Sequence, residues 1–289
     1  MSDKTLEEVR RDIDALDAAM HDLLMQRAEL VMRVADAKAQ AASDAGDGSF
    51  IALRPGREAQ ILRALAARHR GPLPLEVVFR LWREIIAAKT RLQGPFRVEV
   101  YGGADELALW DLARSHYGSS TPMSLLETAR GVLDRVAQDR SALGVLPLPQ
   151  AESASDWWTG LGTLGAGGAK IVARLPFLER GGEDQPGALA VAQAAFEPSG
   201  DDVSLIVVRA EGPMSDTGAI AVLNGLGFED AERLAAAGGD GVRFNLMAVP
   251  GHIDAEDSRL GPVKREGVAV ETALIGGFAR PVRLPAGAP

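Results

Sequence analysis

The sequence predicts a multidomain chain: an N-terminal all-α domain of three helices over residues 1–95, then a C-terminal α/β domain over residues 96–289. Three observations predict it. Glycine is partitioned, with 5 residues before position 96 and 27 after, so the first part lacks the residues that tight turns use and the second is rich in them. Charge is partitioned too: residues 1–95 hold 15 basic and 14 acidic side chains, whereas residues 96–289 hold 16 and 26. Finally, apolar residues keep a 3-4 spacing in the first part and give way to alternating strand-like and helix-like segments in the second.

Helix one is predicted over Thr5–Gln40, a stretch without Gly or Pro. Thr5 with Glu8 forms a capping-box signature at its start. Leu6, Val9, Ile13, Leu16, Met20, Leu23, Leu30, Val34 and Ala37 form a heptad seam broken at one slot, which holds Arg27. A helix of ~35 residues is about 50 Å long, more than one small domain covers, so a partner chain is expected over the excess.

Arg27 is informative because a guanidinium in a core slot costs several kcal/mol unless paired. It either snorkels to the seam's edge or pairs with a nearby Glu, or it marks an anion site inside a bundle. Lys38 lies three turns on along nearly the same face. Arg10 is about 25 Å back and too far to share a pocket with Arg27 in one chain; in an antiparallel dimer it reaches the other chain's pocket.

A polar linker over 41–49 precedes Leu53-Arg54-Pro55-Gly56-Arg57-Glu58, where Pro55 suits the first turn of helix two, predicted to about His69. After Gly71-Pro72-Leu73-Pro74, helix three is predicted over Leu75–Gln93. Its inward stripe reads Phe79, Trp82, Ile86, Lys89, Gln93, turning polar over the last two slots; those two also suit a frayed, solvated end. Several cations with a single acid, Glu58, in or beside core slots suit a small polyanion such as a di- or tricarboxylate. No activated nucleophile or His base accompanies them, so any catalysis would rest on positioning and electrostatics.

Residues 5–93 resemble the all-helical chorismate mutase domain found fused to prephenate dehydratase or dehydrogenase in many bacteria. The blocks that carry the resemblance are Val9-Arg10-Arg11-Asp12-Ile13-Asp14-Ala15-Leu16-Asp17, Leu23-Leu24-Met25-Gln26-Arg27, Val34-Ala35-Asp36-Ala37-Lys38, Arg54-Pro55-Gly56-Arg57-Glu58, and Arg83-Glu84-Ile85-Ile86 ending at Gln93. The resemblance implies an intertwined homodimer, an isomerase that rearranges chorismate to prephenate without cofactor or metal, and a place on the route to phenylalanine and tyrosine. It sets Arg27 and Arg57 on the substrate carboxylates, Lys38 and Gln93 at the ether oxygen, Glu58 at the ring hydroxyl, and Arg10 as the arginine donated by the other protomer. Lys89 stands where the family usually has Ser, still able to bind a carboxylate, and Arg54 stands where some members carry Asp.

In the second domain, strands are expected at Arg97–Tyr101, Ala142–Leu148, Lys170–Leu175 and Ala188–Ala195, and helices at Ala104–Tyr117 and Leu125–Gln138, an α/β pattern in which parallel strands are expected. Val203–Val249 reads strand, helix (Met214–Leu226), strand, strand. The order resembles a prephenate dehydratase domain, with Val98–Gly103 at the glycine-rich first loop and Gly144-Val145-Leu146-Pro147-Leu148 at the strand that normally leads to Glu-Asn; Pro149-Gln150 follows instead. The dehydratase's Thr-Arg-Phe is missing, the corresponding region being Asp201–Leu205, and Thr90-Arg91 lies inside helix three. A dehydratase-like domain without dehydratase activity is expected. Gly218-Ala219-Ile220 resembles the Gly-Ala-Leu of ACT regulatory modules, although the segment reads equally as the rest of the second domain. The glycines at 165–168 lack the context of a nucleotide loop, Trp157-Trp158 reads as core or dimer surface, and the tail 280–289, with three Pro, reads as mobile.

Composition removes other classes. With 46% apolar and 25% charged residues the chain is globular rather than disordered. Zero Cys excludes disulfides, zinc-thiolate sites, iron–sulfur clusters and thiol catalysis. No apolar run approaches the ~18 residues of a membrane span, and the charged first residues lead straight into a helix, so a cytoplasmic protein without a signal peptide is expected. A net charge of −9 argues against nucleic acid as the main partner, and His21, His69, His116 and His252 show no metal-ligand spacing. Three other functions stay open at this point: a bifunctional mutase–dehydratase, a non-catalytic regulator that binds an aromatic amino acid or a partner enzyme, and a helical lyase cleaving isochorismate.

Overall fold

The computed structural model describes residues 4–44, 52–103, 106–149, 156–163, 168–181, 186–212, 214–238, 241–265 and 268–284. Contacts divide the chain into two compact units, one of residues 1–52 with 89–95, the other of residues 53–88 with 96–289.

The first unit is built on α1 (Leu6–Asp44), followed in space by the last turn of α3 (Leu75–Gln93), which belongs to this unit from Lys89 onward. The capping box forms as expected: the Thr5 amide donates to Glu8 Oε2 at 2.7 Å, and the Glu8 amide donates back to Thr5 Oγ1 at 3.3 Å. Those bonds satisfy two of the amides that a helix start leaves without intrahelical partners, which fixes where α1 begins. The helix runs four residues beyond the expected Gln40; the rest of the expected linker, 45–51, lies outside the described residues. Leu6, Val9, Ile13, Leu16, Met20, Leu23, Leu30 and Val34, the apolar seam read from the sequence, are all exposed on this chain.

The second unit is organised by one ten-stranded mixed sheet, β1 (Arg97–Tyr101), β2 (Met123–Leu126), β3 (Ala142–Pro147), β4 (Lys170–Leu175), β6 (Ala188–Ala192), β7 (Asp202–Glu211), β8 (Glu232–Gly238), β9 (Val242–Pro250), β10 (Gly261–Arg265) and β11 (Val268–Ala279). Its order is β2-β1-β3-β6-β4-β11-β7-β9-β8, with β10 beside β11; β5 (Leu178–Arg180) and β12 (Val282–Leu284) form a separate pair. The helices are α2 (Pro55–Arg68), α3 up to Ala88, α4 (Glu106–Tyr117), α5 (Ala129–Gln138), α6 (Thr159–Thr163) and α7 (Asp216–Gly225).

Period-two alternation buries both faces of the central strands. Val203, Leu205 and Val207 of β7 join a core with α5, Trp157, Trp158 and Leu161, whereas Ile206, Val208 and Ala210 pack under Ala219, Val222 and Leu223 of α7. The tryptophan pair is therefore core, and α7 lies on the same sheet as the rest of the second domain. A third core cluster joins Ala59 and Leu62 of α2 and Phe79 of α3 to Phe177.

The sheet corrects several expectations. The pairs β1–β2, β1–β3 and β4–β11 are parallel, but β3–β6, β4–β6, β7–β9, β8–β9, β7–β11 and β10–β11 are antiparallel. Leu125 and Leu126 belong to β2, not to a helix: they pair with Val100 and Tyr101, and Thr128 caps the helix that follows by accepting from the Gly131 amide at 3.0 Å. The strand expected to reach Ala195 ends at Ala192. In the tail expected to be mobile, Val282–Leu284 pairs in parallel with Leu178–Arg180; residues 285–289, Gln150 and the glycines at 165–167 lie outside the described residues.

Candidate active site

The first unit carries Arg10, Arg27, Lys38, Lys89 and Gln93. Arg10 is exposed on the opening turns of α1, and Arg27 is half-buried. Burial pulls the Arg27 guanidinium below its ordinary value, the direction expected when a charge loses water. An arginine starts so high that it stays charged near neutrality. Gln93 is half-buried, and its Nε2 donates to the Val31 carbonyl at 3.4 Å. Val31 is one turn beyond Arg27, so the Gln93 amide meets α1 about 6 Å along the axis from the arginine. Lys89, one turn before Gln93, is half-buried as well, so both polar slots at the end of the α3 stripe are held in structure rather than frayed. The Lys38 backbone continues α1; its side chain lies outside the described residues.

The second unit carries Arg57 and Glu58, adjacent on α2 and turned to different surroundings. Arg57 is exposed and donates from Nη1 to Gln60 Oε1 at 3.2 Å. Glu58 is buried and accepts from Arg83 Nη1 at 3.1 Å. The Arg83 guanidinium also lies 5.6 Å from the centroid of the Phe177 ring. Its pKa is drawn down by burial, and Glu58 opposes that shift. Around the pair, Leu53, Ala59, His116, Tyr117, Arg174 and Phe177 help to line a cavity of about 20 Å³, room for one water-sized sphere. Burial, then the charge of Arg83, holds His116 well below its ordinary 6.5, and burial raises Tyr117. The cluster is a buried polar joint built around the Glu58–Arg83 ion pair.

Arg54, at the position that departs from some family members, pairs through Nε with Glu197. Sequence reasoning gave no role to Arg63 or Arg83, because both partner with residues distant along the chain: Glu58 for Arg83, and Ser199, Asp201 and Arg280 for Arg63. A faint signal existed, since each is a cation next to the apolar stripe of its helix (Leu62, Trp82). In the region corresponding to the missing Thr-Arg-Phe, the polar groups are occupied. Asp202 accepts from the Ser199 and Gly200 amides at 2.8 and 3.2 Å, and Ser204 Oγ donates to the Gly251 carbonyl at 2.8 Å. Among the described residues, no group of three His, Asp or Glu could hold a metal ion, and no helix is long and apolar enough to cross a membrane.

Residues 9–94 match the family model for chorismate mutase type II. The chain is 33% identical over 146 residues to a bifunctional chorismate mutase/prephenate dehydratase of Pseudomonas aeruginosa, a stretch that is 50% of this chain and 38% of that protein. A protein of the same description from Aquifex aeolicus is 28% identical over 147 residues, again 50% of this chain and 38% of the other. The matched stretch thus spans well under half the length of these relatives. Among solved structures, the prephenate dehydratase of Streptococcus mutans aligns over 65% of this chain and 100% of its own at 12% identity, with a TM-score of 0.41, too low to identify a fold. The N-terminal third is therefore similar to chorismate mutase type II domains over residues 9–94, and the C-terminal part is a mixed α/β sheet domain.

Proposed function

We propose that this chain is a chorismate mutase, an isomerase that converts chorismate to prephenate in the cytoplasm on the route to phenylalanine and tyrosine. The observation that carries the reading is the match of residues 9–94 to the chorismate mutase type II model. The half-buried cation Arg27 in the apolar seam of α1 agrees with it. The reaction is a unimolecular Claisen rearrangement: the ether C–O bond breaks as a C–C bond forms, with no proton, electron or group gained or lost. The catalytic task is therefore to select the compact conformer and to stabilise the negative charge that develops on the ether oxygen.

In this reading Arg27 and Arg57 bind the carboxylates, with Lys89 available for a further carboxylate contact. Lys38 and Gln93 face the ether oxygen. An amide and an ammonium donate hydrogen bonds that strengthen as that oxygen gains charge, so they favour the transition state over the substrate. Glu58 takes the ring hydroxyl, from within its pairing with Arg83. The partner is a second copy of this chain, which covers the exposed seam of α1 and donates its Arg10. Eight exposed apolar residues at heptad spacing support that pairing.

Residues 96–289 carry no dehydratase activity in this reading, because the region that should hold Thr-Arg-Phe has other residues and its polar side chains are committed to local hydrogen bonds. Product analysis separates the readings: prephenate as the only product supports a plain mutase, and phenylpyruvate formed at neutral pH would replace it with a bifunctional enzyme.

A further inference from the structure

We propose that Arg63 is a positioning residue for the mutase: it locks α2 to the C-terminal domain and so fixes where Arg57 stands. This rests on the mutase reading above. The resemblance gives the substrate contacts to the helical third of the chain and leaves the α/β domain without a task in the reaction. The packing of α2 supplies one.

Arg63 sits six residues on from Arg57 along α2, and both terminal nitrogens of its guanidinium are engaged. Nη1 donates to the Ser199 carbonyl at 3.2 Å and to Ser199 Oγ at 2.8 Å. Nη2 donates to the carbonyl of Asp201 at 2.6 Å and to that of Arg280 at 2.8 Å. The four acceptors are neutral oxygens, and they come from the turn before β7 and from the residue after β11, segments 79 positions apart in sequence. The group therefore reads a backbone arrangement that exists only when the sheet is folded. That arrangement is itself braced: Asp202 holds the Ser199 and Gly200 amides, and Arg280 Nε donates to Asp201 Oδ1 at 3.1 Å.

Three further contacts fasten the same helix. Gln60 Nε2 donates to the Pro198 carbonyl at 3.4 Å, and Arg54 pairs with Glu197. At Gly56, a Cβ would fall 2.8 Å from the Glu197 carbonyl oxygen, so the start of α2 lies directly on that backbone. Below the helix, Leu62 and Ala59 are buried against Phe177 and Phe79. Arg57 rises from a helix fastened at its first turn and again at Arg63, and among the described residues its own hydrogen bond goes to Gln60 on the same helix. A lysine cannot reproduce the clamp, because an ammonium lacks the planar fork that spans the three carbonyls.

The test uses the full chain. Amide hydrogen exchange is followed across residues 56–68, and chorismate kinetics are measured for wild type, Arg63→Ala, Arg63→Lys and Gly56→Ala. The expected result is faster exchange in α2, little change in β7, and KM raised on the order of tenfold with kcat within about twofold, because Arg57 binds the substrate while the groups at the ether oxygen are on other helices. Arg63→Lys should fall between wild type and Arg63→Ala. If Arg63→Ala fails to fold, Ser199→Ala, which deletes one acceptor, takes its place with a smaller effect in the same direction. Unchanged exchange in α2, or faster exchange with wild-type KM, overturns the proposal. A wild-type chain that leaves chorismate untouched overturns the mutase reading and, with it, the effect on Arg57; the exchange data then still decide whether Arg63 holds α2.

Discussion

Arg83 Nη1 lies 3.1 Å from Glu58 Oε2, and both side chains are almost wholly withdrawn from solvent, at 8% and 5% exposure. Two charges in a low-dielectric site tolerate each other but not solitude, because removing one partner leaves the other buried and uncompensated. Arg83→Met should therefore destabilise the protein by about 3–5 kcal/mol, and the double variant Glu58→Met with Arg83→Met should recover most of that loss. Chemical denaturation of the two variants and wild type checks it; a double variant as unstable as the single would show that the pair is not the source.

The same cluster makes stability depend on pH. His116 is neutral in the folded protein, held well below 6.5 by burial and by Arg83, and it faces Tyr117 at 4.7 Å between ring centroids. In the unfolded chain it takes up a proton near 6.5, so unfolding gains a proton below that pH and stability falls as pH drops. Above 6.5 neither state binds the proton and the contribution is flat. The slope below 6.5 approaches about 1.4 kcal/mol per pH unit, and His116→Phe should remove that share of it. Tyr117, raised by burial, acts at the other end: the unfolded chain loses its proton near 10, so stability declines above that pH. Melting temperatures at a series of pH values for wild type and His116→Phe decide the first claim.

Arg27 stands half-buried in a seam otherwise built of apolar residues. Arg27→Ala removes a partly desolvated charge, so the variant should fold at least as well as wild type. Its kcat/KM for chorismate should drop by roughly 10- to 100-fold, because a charge-assisted contact to a substrate carboxylate, worth about 1.5–3 kcal/mol, is lost. Circular dichroism with an activity assay checks both halves. A variant that folds and keeps wild-type activity would place the pocket elsewhere.

Leu16 and Leu23 are 63% and 64% exposed at the middle of the α1 seam. A second copy of the chain burying them would be lost when both become Asp, since a charge in a coiled interface is costly. Sedimentation should show wild type at twice the mass of the Leu16→Asp, Leu23→Asp variant. Equal masses would count against the paired chain.

The three helices were legible because each carries a local signal: the Thr5–Glu8 box, Pro55 at a first turn, and a 3-4 apolar stripe from Phe79 to Ile86. Strands Arg97–Tyr101 and Lys170–Leu175 were legible for a similar reason, each being an apolar run between turn residues. What stayed hidden depends on partners far along the chain. Leu178–Arg180 and Val282–Leu284 have three residues each and exist as strands only through one another. β11 is unassigned from the sequence; within it Gly276 adopts φ +114, and a Cβ there would fall 2.1 Å from the Ile171 carbonyl oxygen. Only glycine permits the approach of β11 to β4 that joins the two parts of the sheet. The resemblance likewise supplied candidate roles for Arg57 and Glu58, but not that the first is exposed and the second buried against Arg83.

The most direct measurement incubates the purified full chain with chorismate at neutral pH and follows both chorismate and prephenate. The account predicts that chorismate disappears and prephenate appears one for one, without added metal or cofactor. Chorismate left at the uncatalysed rate would contradict it.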